Sequence, residues 1–422
     1  MRNRVKDRIG LVVTLVALLV ALLAQPLLRG GAATAADAPA APTVTAKLAK
    51  PLKAAQEAIQ AKNWDAALAA IREAQAVQVE KSAYDNYIMN AWLMVIFQQK
   101  QDTPNEIIAL QGAAASQYAS PDQQKTWLKA LVGLYLQQKD YAKVVDAGED
   151  ALKKIPGDRD ILTSIAESDN HLGKFKEAAA AVQQVIEHQE KPDETLLQFQ
   201  WNCYIKASDD ADAAKVIDKL VMFYPKPDYW LNALAPVLRS DIKDPHLQLD
   251  LYRFMSEVGV LKRSVDYADM AELSLDQGYP GESQAVLERA FAQNVFTEQR
   301  DKDRYQHLLE GAKQRAAKDQ ASLADGERDA ANAATGDLFV QIGAAYLSYG
   351  QAEKAVADIT KGIAKGMLKN ADEANLLLGM AELKAKNGAE AVRAFDKVAN
   401  SSAAGYARLG KLWAIHAGAR SA

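Results

Sequence analysis

The phrase Gly173-Lys174-Phe175-Lys176-Glu177-Ala178-Ala179 recurs along this chain, and its recurrence constrains the fold more than any other feature. Its relatives are Lys62-Asn63-Trp64-Asp65-Ala66-Ala67-Leu68, Lys139-Asp140-Tyr141-Ala142-Lys143-Val144-Val145 and Gly350-Gln351-Ala352-Glu353-Lys354-Ala355-Val356. A small or β-branched residue after the turn falls at Val144, Ala178, Ala213, Ser283, Ala355 and Ala391. The gaps are 34, 35, 70, 72 and 36 residues, one or two periods of about 35. Such a period marks stacked supersecondary units, none of which buries its apolar face alone. Between the turns the apolar residues keep helical spacing, as at Leu128, Leu131, Val132 and Tyr135, and at Phe339, Ile342, Gly343 and Tyr346. Strand alternation is absent. The expected class is all-α, an α-solenoid of helix-turn-helix units.

The unit has a physical logic. A small residue after the turn lets two helices cross closely, an aromatic at the turn fills the gap between units, and a proline (Pro156, Pro192, Pro225) follows the second helix. On these residues, 51–297 and 337–400 resemble tetratricopeptide repeats, with the best units at 125–156, 159–192, 194–225, 264–297 and 336–370. Unit 51–81 is clear in its second half, through Trp64, Ala67, Leu68, Ile71 and Ala74. Two units depart from the pattern. Residues 84–118 have a heavily apolar first helix and an irregular turn, Asp102-Thr103-Pro104. Residues 228–259 contain Pro236 and Pro245, which predict a shorter or bent pair. Segment 298–335 is charged, with Leu323 its only large aliphatic residue after Leu309. It reads as a helical insertion in which Ser322 caps a new helix, either solvated or acting as a hinge. Residues 337–422 then hold the last units and a capping helix from Gly405 to Ala419, with Tyr406, Leu409, Leu412, Trp413 and Ile415 in phase.

The N-terminal segment 1–35 reads as a secretory signal peptide. Arg2, Arg4, Lys6 and Arg8 precede an apolar run from Ile9 to Ala24, and Ala33-Thr34-Ala35 offers a cleavage site. The alternative is an uncleaved anchor, because Ile9 to Leu28 reaches the roughly 20 residues that span a bilayer. Both deliver the body outside the cytoplasm, and no cysteine lies nearby for acylation. Residues 36–50 read as an Ala/Pro-rich flexible linker. Without residues 1–35 the chain has 45 basic and 53 acidic residues, a net charge of −8. An acidic body without a basic stripe argues against nucleic-acid binding. Cys203 is the only cysteine, so no internal disulfide forms and the thiol reads as a buried, inert one.

Catalytic and cofactor motifs do not emerge. The histidines are His171, His188, His246, His307 and His416, and none pairs with another at helical metal-site spacing. His307 with Glu310 supplies half of a bundle metal site and lacks a second half. Asp209-Asp210-Ala211-Asp212 lacks the glycine and closing glutamate of a calcium loop and reads as a helix start. Gly405 to Leu412 resembles a phosphate loop, but Leu412 stands where Ser or Thr is needed, and no strand precedes it. The expectation is a chain with no enzyme activity, no cofactor and no metal.

What remains is surface. The resemblance implies that first helices line a groove that takes a protein or peptide segment. By helix phase the groove candidates are Ile88, Trp92 and Val95; Ser164, Glu167, Asn170 and His171; and Phe199, Asn202 and Lys206. Trp92 is singled out because residues 84–97 are apolar on both faces; the competing reading is a helix packed all round. The stretch from Gly366-Met367-Leu368-Lys369 through Leu376-Leu377-Leu378-Gly379 to Trp413 is similar in overall phrasing to periplasmic repeat proteins encoded beside TonB–ExbB–ExbD-type systems of proteobacteria. That likeness implies a periplasmic scaffold in an envelope complex. The alternative is a structural component of cell-wall or outer-membrane assembly, anchored in the inner membrane.

Overall fold

The computed structural model describes residues 42–421, so the expected leader at 1–35 and the start of the linker lie outside the described residues. Among the described residues all regular structure is helical. The chain divides into two compact units between Asp209 and Asp210. That point falls inside the stretch 51–297 read as one array, and it separates the two helices expected to pair in 194–225.

The first unit holds α1 (Ala49–Gln60), α2 (Trp64–Ala76), α3 (Ala83–Gln99), α4 (Thr103–Ala114), α5 (Pro121–Gln138), α6 (Tyr141–Leu152), α7 (Arg159–His171), α8 (Phe175–Ile186) and α9 (Glu194–Lys206). Each helix packs on the next, and α5 also reaches α7. Asx and Ser caps set the starts. Asn63, Asp102, Asp140, Asp158 and Asp193 accept backbone N–H bonds, and Ser82 and Ser120 form capping boxes with Asp85 and Gln123. The expected linker ends before residue 50. The Thr45 backbone N and Oγ1 donate to Asp85 at 2.9 and 2.6 Å, and Leu48 is buried, which pins this segment across the start of α3.

The second unit holds α10 (Asp210–Phe223), α11 (Pro227–Leu238), α12 (Pro245–Glu257), α13 (Ser264–Asp276), α14 (Pro280–Ala292), α15 (Gln299–Asn332), α16 (Asp337–Ser348), α17 (Ala352–Lys365), α18 (Ala371–Lys384), α19 (Gly388–Ala399) and α20 (Ala404–Ser421). The proline-bearing pair is not shortened. Pro236 sits in the last turn of α11, a helix of 12 residues. Pro245 opens α12 at its first turn, where a missing N–H costs nothing. The charged segment is one helix of 34 residues, and Ser322 does not cap a new one, since its Oγ donates to the Asp319 carbonyl inside α15. Tyr305, Leu309, Ala312, Ala316, Leu323 and Ala330 form its narrow buried stripe, small enough to lie against α14 and α16.

The recurring phrase has a single geometry. The second residue before each second-helix start is left-handed: Lys62, Gln101, Lys139, Gly173, Ser208, Gly278, Gly350 and Lys386, with φ between 53° and 83°. Gln101 shows that the turn at Asp102-Thr103-Pro104 is the same turn, not an irregular one. Four of these residues besides Ser208 are non-glycine, each accepting a strain of about 1–2 kcal/mol that the packing offsets. The fourth residue of each following helix is buried at Ala67, Val144, Ala178, Ala213, Ser283, Ala355 and Ala391. In α4 that position is Glu106, also buried, and burial pushes its carboxyl up to about 7. This carboxyl, not the turn, makes that unit atypical.

Glycines report how closely helices approach. A Cβ on Gly379 would lie 2.4 Å from the Phe395 ring, whereas one on Gly133 meets nothing within 4 Å. Helix propensity alone favours alanine at both by about 1 kcal/mol. Gly133→Ala is therefore expected to stabilise by roughly 0.5–1 kcal/mol. Gly379→Ala is expected to destabilise by about 1–3 kcal/mol, because overpacking wins where Phe395 is itself stacked on Trp413. Urea unfolding of the two variants checks this, and equal signs would contradict the packing.

The C-terminal helix does more than cap. It packs on α19 as expected and also on α10, α11, α12 and α18. Arg408 and Lys411 pair with Asp218 of α10 at 2.7 and 2.8 Å, and the Arg408 Nε donates to the Ala233 carbonyl of α11. The Tyr406 hydroxyl accepts from Asn370 at 2.8 Å and lies 3.4 Å from Asp244. Trp413 stacks on Phe395 and meets Phe254 edge-on, with ring centroids 5.1 and 5.0 Å apart. His416 meets Trp230 and Phe254 edge-on. The second unit thus closes on itself, joining helices whose residues lie about 160 to 190 positions apart.

Candidate functional site

The first helices α3, α5, α7 and α9 place equivalent side chains on one face. Eleven residues before the start of each following helix stand Trp92, Ala130, Ser164 and Phe199; eight before stand Val95, Gly133, Glu167 and Asn202. The first series runs from buried at Trp92 and Ala130 to half-buried at Ser164 and Phe199. The second runs from buried Val95 through half-buried Gly133 and Glu167 to exposed Asn202. The face is closed at α3 and opens toward α9.

Closure at α3 corrects part of the expected groove. Tyr87, Ile88, Met89, Ala91, Trp92, Leu93, Met94, Val95, Ile96 and Phe97 are all buried, so this helix is surrounded on every side. Its apolar residues are spread around the whole helix circumference, which only a helix packed all round requires. Ile88, Trp92 and Val95 therefore belong to the core and offer no open surface to a partner.

The other seven candidates remain accessible, and several also join neighbouring hairpins. The His171 ring stacks on Tyr141 at 4.3 Å and 8°. Lys206 Nζ donates to Asn170 Oδ1 at 3.1 Å and sits 5.2 Å from the centre of the Phe175 ring. The turn aromatics Tyr141 and Phe175 are thus each covered by the last residue of the next first helix. The Ser164 hydroxyl donates to the Asp160 carbonyl, and Phe199 packs partly on Ala178, Ala179 and Cys203. Exposed Ile205 lies beside Lys206. The face combines an aromatic edge, an amide, a hydroxyl, a carboxylate and an ammonium, groups suited to hydrogen-bond and pack an extended segment. The spacing of 30 and 31 residues between turn aromatic and covering residue was visible in sequence, but nothing there distinguished a staple from a groove residue.

Cys203 is buried, and its thiol is pushed up to about 11 by that burial, the opposite of an activated nucleophile. His307 and Glu310 are both exposed on α15. Asp210 and Asp212 stand in the first turn of α10, and Gly405 to Leu412 lie inside α20. Among the described residues no group of three or more His, Cys, Asp or Glu is placed to hold a metal ion, and no helix is long and apolar enough to cross a membrane.

No protein-family model matches the chain, and no curated protein matches it in sequence. Among solved structures it is similar to YrrB, described as a TPR protein with an unusual peptide-binding site, at 12% identity over 44% of this chain and 91% of that one, with a TM-score of 0.30. A tetratricopeptide repeat protein from Parabacteroides merdae matches at 14% identity over 79% and 98%, with a TM-score of 0.28. The TPR2AB domain of yeast Sti1, solved as a complex with pHSP90, matches at 14% identity over 70% and 99%, with a TM-score of 0.23. Its own hairpin period, shared left-handed turn and buried fourth-position residues make the chain an all-α protein of repeated helical hairpins.

Proposed function

We propose that the protein is an exported, non-enzymatic scaffold that binds a protein or peptide segment on the face of α7 and α9. The observation that carries this reading is the opening of that face. The repeat positions are consumed in packing, while Ser164, Glu167, Phe199 and Asn202 stay accessible in register. Export rests on the basic, apolar, small-residue order of residues 1–35, and the acidic body suits a protein partner better than nucleic acid. A role in a periplasmic envelope complex follows, with TonB–ExbB–ExbD-linked transport as its most specific form. The second reading, an inner-membrane-anchored component of cell-wall or outer-membrane assembly, is favoured by the length of the apolar run from Ile9 to Leu28.

Fractionation with N-terminal sequencing separates the two: a soluble chain starting near Ala36 supports the first, and an intact Met1 in membranes supports the second. A photo-crosslinker at Asn202 is expected to trap one partner, and Phe199→Ala is expected to cut that adduct about tenfold, as loss of an interface aromatic does. The exposed control position is Glu149 on α6. Equal trapping from 149 and 202, insensitive to Phe199→Ala, would remove the face from consideration.

A further inference from the structure

Closure of the second unit leaves a half-open cavity of about 490 Å3, walled by α12, α13, α14, α16, α17, α18 and α20. Its size lies within the range of small-molecule sites, about 300–1,000 Å3. At about 30 Å3 per water-sized group it has room for a ligand of up to roughly sixteen non-hydrogen atoms. Met270, Val286, Leu347, Leu377, Met380 and Trp413 supply an apolar wall, and two of these are methionines, which adapt to aliphatic chains.

The charged groups on this wall are unequally engaged. Arg253 is buried and saturated: its Nη1 donates to Asp250 at 2.8 Å, and its Nε and Nη2 donate to Glu282 at 2.8 and 2.6 Å. Glu257 is equally engaged, accepting from Arg420 at 2.7 Å and Lys384 at 3.0 Å, with His416 at 3.4 Å. Arg289 differs, because its exposed guanidinium donates to the Ser256 hydroxyl and, among the described residues, meets no carboxylate. The cavity therefore offers an apolar wall, two carboxylates already bonded to cations (Glu282 sharing Arg253 with Asp250) and the exposed Arg289 at its rim.

We propose that this cavity binds an aliphatic carboxylate, with the chain on the methionine, leucine and tryptophan wall and the carboxylate on Arg289. An aliphatic amine is disfavoured, since it meets the Arg289 charge and finds Glu257 and Glu282 already bonded to cations. An alcohol fills the same apolar space but leaves Arg289 without an anion. The chemistry is the same whether the ligand is a free fatty acid or the C-terminal leucine of a peptide.

Calorimetric titration of the exported chain with decanoate, decylamine and decanol tests the idea. Decanoate is expected to bind saturably below about 1 mM, with the amine and alcohol at least tenfold weaker. Arg289→Met, which keeps the stem and removes the charge, is expected to weaken decanoate about tenfold. Ala285→Trp fills the cavity from an exposed wall position and is expected to abolish binding with unchanged circular dichroism. A pentapeptide ending in leucine, as free acid and as amide, separates the two sources: tighter binding of the acid than decanoate indicates a C-terminus, and the reverse indicates a fatty acid. Equal binding of decanoate and decylamine, full binding by Ala285→Trp, or no saturable binding of decanoate or the peptide acid would each overturn the proposal. None of these readouts depends on Phe199 or Asn202, so the proposed partner face stands or falls separately.

Discussion

Replacing Trp413 with alanine is expected to destabilise the second unit by about 3–5 kcal/mol, the range for truncating a buried aromatic. The residue is 3% exposed and lies between Phe395 of α19 and Phe254 of α12, so its removal opens a cavity that neither ring can fill without leaving its partners. The loss reaches beyond the C-terminus. Hydrogen exchange is expected to rise together in α10, α11, α12 and α20, while α1 to α9 keep their protection. A simple end cap would loosen α19 and α20 alone, and that outcome would contradict closure. Trp413→Phe is expected to cost less than half as much. It keeps most of the apolar area and removes an indole N–H that is buried without an acceptor.

Glu257→Gln is expected to destabilise the same unit by about 2 kcal/mol at neutral pH, with a loss that fades in acid. The bond from His416, then that from Lys384, hold this carboxyl down at about 2 against the opposing effect of burial. Relative to about 4.3 in an unfolded chain, such a depression corresponds to about 3 kcal/mol. Lys384 and Arg420 are each 58% exposed, so solvent screening reduces that figure. A carboxyl with a lowered folded pKa stabilises fully above its unfolded value and loses that stabilisation as pH falls toward the folded one. The difference between wild type and Glu257→Gln is thus expected to be constant from pH 7 to 5 and to shrink by about half at pH 3. Urea midpoints across that range measure it, and a difference independent of pH would mean that the charge on Glu257 does not hold α20.

The helical class and the repeat period were legible because both are local. Caps such as Asp140 and Asp158, the turn before Tyr141, and buried small residues such as Ala178 act within one hairpin or its neighbour, and each leaves a mark at fixed spacing. The groove was legible in part. Helix phase located the face of Ser164, Phe199 and Asn202 but placed Trp92 on the same face as an open residue. Phase gives direction, and only the surrounding elements decide whether a direction ends in solvent. The narrow stripe on α15 was misread for a related reason: alanines such as Ala312 and Ala316 carry little hydropathy, yet they are what a close helix contact needs.

By itself, then, the chain determined its all-α class, its period, its turn positions and the inertness of Cys203, all consequences of residue chemistry acting over fewer than about 40 positions. Tertiary structure alone decided that α20 returns to α10, that Glu257 gathers Lys384, His416 and Arg420, and that a half-open cavity with Arg289 at its rim remains. These contacts join residues up to about 200 positions apart. Their partners are set by how small rotations between successive hairpins accumulate, and no spacing in the sequence encodes that sum.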